Sequence, residues 1–213
     1  MTRLDTLLFL WINATADTPA WLLALARWIS TDLPALAVVA LVPLLLFGPA
    51  ARRQFLGVCL AMVLAWLAVR GIRETVHVAR PFELGLGRQW LAHAATASFP
   101  SFHAAVAGAW AVALAFFASR HPRRWLIAAG AVALAIAWSR VFLGLHFVSD
   151  IAVGLLLGAA SALTARQGFA WLDRRRRRLL PTSVPQAVAD TALGSVSQAL
   201  DTNRHKTGGT GAV

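Results

Sequence analysis

The stretch "SFPSFHAAVAGAWAVALAFFASRHPRRW", residues 98–125, moves from serine, proline and histidine into an apolar run and out again into a basic cluster. The run over 101–119 is long enough, and free enough of charge, to read as a membrane helix. Arg120, Arg123 and Arg124 at its far end place that end in the cytoplasm by the positive-inside rule. Ser98, Ser101 and His103 then stand at the outward end. A helix start offers free backbone N–H groups and a positive dipole, so Ser101 reads as a cap or an anion ligand. His103, in the first turn, reads as a proton donor or as a satisfied interfacial histidine.

The rest of the 213-residue chain agrees with a membrane setting. It is 58% hydrophobic and 14% charged, and its mean hydropathy is +0.64, too apolar for a soluble domain of this size. Nine Trp suit interfacial anchoring. The net charge of +11 could indicate nucleic acid, but the basic residues gather at the ends of apolar runs, so no nucleic-acid partner is expected. Cys59 is alone and lies mid-run, which excludes a disulfide framework and a cysteine metal site. The segment at 1–17 reads as retained rather than as a cleaved signal.

Further apolar runs occupy 54–69, 124–142 and 150–168, and a shorter one, 33–48, contains Pro43 as a kink. Segments 4–12 and 19–29 are each too short to span and read as interfacial or re-entrant. The expected fold is all-α: a polytopic membrane bundle of about five transmembrane helices, or six if the two N-terminal segments fuse. Residues 1–172 form the membrane domain and 173–213 a basic, disordered cytoplasmic tail. Basic clusters at Arg52–Arg53, Arg120–Arg124 and Arg174–Arg178 are separated by pairs of spans and lie on one side. Loops 80–100 and 143–149 therefore face outward.

That outward face nonetheless carries Arg70, Arg73, Arg80, Arg88 and Arg140, with His77, His93, His103 and His146, a bias that calls for an anion. Arg73, His77 and Arg80 are spaced for one helical face, and Arg70 is spaced to pair with Glu74. His77 and His93 read as plain loop residues. In "SRVFLGLHFVSD", residues 139–150, His146 and Asp150 are four apart. A carboxylate at that spacing can fix one imidazole nitrogen and leave the other basic, though a His–Asp pair can also merely cap a helix. Arginines plus an oriented and a free histidine suit phosphoryl transfer through a phosphohistidine. No metal or other cofactor is expected, because the carboxylates near this face, Glu74, Glu83 and Asp150, are too few for two-metal hydrolysis.

Arg73-x6-Arg80-Pro81, Pro100-Ser101-Phe102-His103 and Ser139-Arg140-x5-His146-x3-Asp150 resemble the three motifs of the type 2 phosphatidic acid phosphatase (PAP2) superfamily, with its haloperoxidase-like core. "LFLWINATADTPAW", "RPFELG", "SFPSFHA" and "AWSRVFLGLHFVSD" are similar to its bacitracin-resistance branch, the undecaprenyl-pyrophosphate phosphatases. The resemblance covers roughly residues 5–168. It implies His146 as nucleophile, Asp150 as its orienter, and His103 as acid and then base. It also implies Arg73, Arg80, Ser101 and Arg140 as phosphoryl ligands. Arg73 stands where the pattern usually has Lys. Phe102 stands where it has Gly, or Asp in this branch, and is expected to alter first-turn packing or lipid contact without changing the reaction class.

The substrate so implied is a lipid-linked phosphate, undecaprenyl pyrophosphate. The setting is a bacterial plasma membrane with an outward site, in peptidoglycan biosynthesis. Another lipid phosphate (phosphatidylglycerophosphate, phosphatidate or a lipid A phosphate) is the alternative substrate, and a non-catalytic lipid-phosphate binder or carrier the alternative of another class. The sequence gives no oligomeric state.

Overall fold

Alanine and glycine on one face and large apolar side chains on the other determine how these helices pack. The computed structural model describes residues 2–179, and among them it contains α1 (Arg3–Ile12), α2 (Ala20–Thr31), α3 (Leu33–Val39), α4 (Gly48–Thr75), α5 (Phe102–Phe117), α6 (Pro122–Phe142) and α7 (Val148–Leu179). Two 3-10 turns, Val42–Leu45 and Pro81–Leu84, complete the elements, and the described residues include no strand. On α4, Leu56, Leu60, Val63 and Leu67 are exposed at helical spacing while Gly57, Val58, Ala61, Ala65 and Val69 are buried. Small inside and large outside is the inverse of a soluble helix and suits a lipid surround.

α4, α6 and α7 are long and apolar enough to cross a membrane. At 1.5 Å per residue the 28 residues of α4 reach about 42 Å, beyond the ~30 Å of a hydrocarbon core. α5 has 16 residues and is the inner helix, buried between α4 and α6 through Ala105, Ala109, Ala113 and Leu114.

The separate span expected over 33–48 does not form. α3 has seven residues, and Pro43, with no N–H to donate, falls in the 3-10 turn that follows. The segment instead continues α2 across a 41° bend, so the pair can count as one broken span, giving up to four by length and composition.

The chain divides into two units, Met1–Ala170 and Trp171–Val213. In the second, residues 173–179, expected in a disordered tail, are the last turns of α7, as Arg is a good helix former. The Arg175 guanidinium lies 5.4 Å from the Trp171 ring centroid. The tail from Leu180 onward lies outside the described residues.

α5 and α7 meet backbone to backbone near the outward end. A Cβ at Gly154 would sit 2.7 Å from the Ser101 carbonyl oxygen, and one at Gly158 would sit 2.2 Å from that of Ala105. The N-terminal turn staples the same end. Asn13 Nδ2 donates to the Arg88 (3.0 Å) and Phe142 (3.1 Å) carbonyls, and its Oδ1 accepts from the Arg88 N–H at 2.7 Å. Asp5 on α1 accepts from both the N–H and the hydroxyl of Ser149, at 3.0 and 2.5 Å, at the start of α7. Asp5 and Asn13 thus hold the loops that carry the site.

The tight crossing has a test with a definite sign. In an isolated helix Gly158→Ala would gain about 1 kcal/mol of propensity. Here the methyl meets backbone, and a net loss of about 1–3 kcal/mol is expected, read as a lower Tm in detergent. A raised Tm would contradict the packing.

Candidate active site

The helical face expected for Arg73, His77 and Arg80 is interrupted. α4 ends at Thr75, and Arg80 is extended (φ −78°, ψ 158°), because the residue before Pro81 is pushed out of the helical region. His77 is exposed on the intervening segment. Arg73, still on α4, donates from Nε (3.0 Å) and Nη2 (2.7 Å) to the Pro100 carbonyl and from Nη2 to that of Ser98 (3.3 Å). It thereby ties α4 to the start of α5. Arg70 pairs with Glu74 at 3.4 Å on the exposed surface, as the spacing predicts.

Arg80 is 1% exposed, and its guanidinium is surrounded by protein acceptors. Nε donates to the Thr96 carbonyl (2.9 Å) and Nη2 to Thr96 Oγ1 (3.2 Å) and the Ala97 carbonyl (3.4 Å). Nη1 donates to the Leu145 carbonyl at 2.9 Å and contacts His146 Nε2 at 3.3 Å. A guanidinium has only donors, so Nε2 must be the ring's acceptor and Nδ1 must carry the proton. Burial and, after it, neighbouring Arg73 lower the Arg80 pKa to about 10 against the opposing pull of Asp150 and Glu83.

His146 lies two residues before α7 and Asp150 in its first turn. Nδ1 is 3.3 Å from Asp150 Oδ2, and the same oxygen accepts the Phe147 N–H at 3.0 Å and the Ser98 hydroxyl at 2.5 Å. The Ser101 N–H donates to the Asp150 backbone carbonyl at 3.0 Å, and its side chain caps α5 through the Ala104 N–H at 3.5 Å. Burial, with help from Arg80 and against the Asp150 hydrogen bond, lowers the His146 pKa to about 4. At neutral pH the ring is uncharged, with Nε2 directed at the arginine cluster.

Arg140, at the end of α6, is 2% exposed. Nη1 donates to Ser30 Oγ on α2 at 2.7 Å, while Nε and Nη2 have no hydrogen-bond partner among the described residues. It interacts electrostatically with Arg80 and Arg73. His103 interacts with Arg140, His146, His93 and Arg73, so all seven residues proposed from the sequence gather at one place. His93, read as a plain loop residue, is half-buried, with Nδ1 2.9 Å from the Ala94 carbonyl. Its pKa is lowered mainly by burial and then, despite that contact, by Arg80, Arg140 and Arg73, which puts it at the edge of the site. Among the described residues no group of three or more His, Cys, Asp or Glu is placed to hold a metal ion.

Phe102 opens α5 and packs against the bundle core, edge-on to the His103 ring at 5.9 Å. Among the described residues His121 is the only non-glycine with positive φ, so position 102 makes no demand for glycine. Phe102 is a shared wall. On one side is an apolar cavity of about 140 Å³, lined by Pro34, Met62, His103, Trp110 and Ile136 among others; on the other is a cleft bearing Trp66, Arg70 and Arg73.

Sequence reading assigns nothing to Ser98, Thr96 or Ser30. Each holds a site side chain across a long sequence separation, and no local spacing signals such a contact. Only Ser98, inside the quoted stretch, stood near enough to a motif to be singled out.

Known proteins share both the sequence and the architecture. The PAP2 superfamily matches residues 54–174, more than half of the chain. The Escherichia coli (strain K12) protein named "Putative undecaprenyl-diphosphatase YbjG" is 36% identical over 168 residues, covering 78% of this chain and 83% of that protein. Phosphatidylglycerophosphatase B of Bacillus subtilis (strain 168) is 37% identical over 75 residues, 32% of this chain and 37% of that protein. The crystal structure of Aquifex aeolicus LpxE superposes with a TM-score of 0.65 at 22% identity, covering 78% of this chain and 96% of that one. The PAP2-type phosphatidylglycerolphosphate phosphatase from Bacillus subtilis gives 0.61 at 23% identity, covering 84% and 88%. The apolar helices and these neighbours make this a multi-pass membrane protein, and the chain belongs to the PAP2 superfamily of lipid phosphatases.

Proposed function

We propose that the protein hydrolyses undecaprenyl pyrophosphate to undecaprenyl phosphate and inorganic phosphate, at the outward face of a bacterial plasma membrane. The observation that carries the chemistry is the assigned tautomer of His146: Nδ1–H toward Asp150 Oδ2, and Nε2 as the free base beside Arg80. In the first step Nε2 attacks the terminal phosphorus. A P–N bond forms, the bridging P–O bond breaks, and His103, entering as the imidazolium paired with the bound diphosphate anion, gives its proton to the departing oxygen. In the second, His103 takes a proton from water as that water attacks the same phosphorus; the P–N bond breaks, and phosphate and neutral His146 are restored. Asp150 stabilises the positive ring between the two steps.

The arginines have unequal parts in this scheme. Arg80 is held by four protein acceptors besides the histidine, so it offers a phosphoryl oxygen only the donor now turned to Nε2. Arg140 has unpartnered Nε and Nη2 donors and is the main oxyanion ligand. Arg73 and the Ser101 cap complete the cradle at the α5 start.

Substrate choice rests on the leaving group and the cavity. A diphosphate releases a phosphate monoester with a second pKa near about 6, a far better leaving group than an alkoxide. The cavity beside His103 is close in size to the ~150 Å³ that holds one benzene, and so matches a single five-carbon isoprene unit. The name of the Escherichia coli relative supports the same substrate.

In detergent the purified protein should release phosphate from undecaprenyl pyrophosphate in the presence of EDTA, faster than from phosphatidylglycerophosphate, phosphatidate or a lipid A phosphate. Preference for one of those would replace the substrate, and binding without release would make the protein a carrier. His146→Ala should lose several orders of magnitude, roughly 10⁴-fold or more; near-normal turnover would remove the nucleophile.

Phe102→Gly should join the cavity to the neighbouring cleft. Turnover of two-chain lipids should rise about tenfold relative to undecaprenyl pyrophosphate, a pocket effect of ~1.4 kcal/mol; an unchanged ratio would contradict a selecting wall.

The lowered His146 pKa, about 4, keeps Nε2 unprotonated across the physiological range, and protonation would quench it only as pH falls toward that value. ¹⁵N-histidine NMR of the detergent-solubilised protein, assigned with His146→Ala, should show its titration midpoint below pH 5. A midpoint near 6.5 would contradict the buried, arginine-flanked ring.

A further inference from the structure

Ser98 takes no part in the bond-making steps above, yet it contacts Arg73, His146, Asp150 and the segment that leads to Arg80. It is fully buried, and its N–H donates to the Val78 carbonyl at 2.8 Å, two residues before Arg80. Its carbonyl accepts from Arg73. Its hydroxyl lies 2.5 Å from Asp150 Oδ2 and 3.3 Å from His146 Nδ1. A hydroxyl has one proton and two lone pairs. The proton goes to the carboxylate, which has none to give, and a lone pair faces Nδ1–H.

Three donors thus converge on one carboxylate oxygen: Ser98 Oγ–H, Phe147 N–H and His146 Nδ1–H. Oδ1 has no partner among the described residues. The ring N–H is shared between two acceptors, Oδ2 and Oγ, at equal 3.3 Å distances. One acceptor alone would leave that N–H free to tilt; two hold its direction from both sides, and the Arg80 contact on Nε2 limits rotation about it.

We infer that Ser98 is a positioning residue, whose hydroxyl closes a Ser98–Asp150–His146 triangle that holds the direction of the imidazole Nδ1–H and moderates the pull of the carboxylate on it. The inference rests on His146 as nucleophile. Nε2 must meet phosphorus in line with the departing oxygen, so a swinging ring costs rate without costing affinity. Without the serine donor the Asp150 carboxylate is less compensated, holds the imidazolium more strongly, and moves the His146 titration upward. The other charged or titratable groups facing this triangle are Arg80 from the 76–80 segment, Arg140 from α6, Arg73 from α4, His103 from α5 and Asp5 from α1 beside Ser149. All are unchanged in a serine variant.

The test uses the full-length protein in detergent with Ser98→Ala, Ser98→Thr and Ser98→Cys. Ser98→Ala should lower kcat about ten- to a hundredfold with KM nearly constant. It should also raise the ¹⁵N titration midpoint of His146, measured without substrate. Ser98→Thr keeps the hydroxyl and should recover most of kcat and the wild-type midpoint. If Ser98→Ala does not fold, Ser98→Cys, with its weak thiol donor, carries the same expectation. An unmoved midpoint in the alanine or cysteine variant overturns the inference, as does equal loss in the alanine and threonine variants, which would mean packing alone. So does a moved midpoint with unchanged kcat. Active His146→Ala would instead overturn the nucleophile, an outcome independent of the titration.

Discussion

Asp150 holds two helix starts and a histidine at one point. Its backbone carbonyl accepts the Ser101 N–H, seating the first turn of α5 against α7. Its side chain reaches back to the Phe147 N–H, closing the first turn of α7, and turns the same oxygen to His146 and Ser98. The carboxylate can reach all of these because α5 and α7 cross at glycine contact distance, with Gly154 directly beneath Ser101. Helix packing and the orientation of the proposed nucleophile are therefore one geometric condition.

The second organising term is buried positive charge. Arg80 and Arg140 are almost wholly buried, and burial of a cation is costly unless it is matched. Arg80 is matched by the carbonyl dipoles of Thr96, Ala97 and Leu145, which makes it a strut for those loops. Arg140 is matched only through Nη1. In the proposed reaction a phosphoryl group would supply what its other donors lack, so that binding and charge compensation would coincide there.

The apolar runs over 54–69, 124–142 and 150–168 foretold α4, α6 and α7 because membrane helices advertise themselves by composition. His146 and Asp150 were legible because both lie at one helix start, where four-residue spacing means contact. Legibility failed where a local signal was overridden or absent. Proline at 81 defeated the helical spacing of Arg73, His77 and Arg80, and the bend after α2 joined two segments that composition kept apart. Asn13, Ser30 and Ser98 act through hydrogen bonds to partners 129, 110 and 52 residues away, distances at which sequence carries no periodicity.

The most direct measurement is the identity of the covalent intermediate. Undecaprenyl pyrophosphate labelled in its terminal phosphoryl group would be mixed with the protein, quenched in alkali, digested and mapped. The label should sit on the peptide bearing His146, survive base and be lost in mild acid, as phosphohistidine requires. Label on a carboxylate or serine, or direct transfer to water with no labelled protein during rapid turnover, would contradict it.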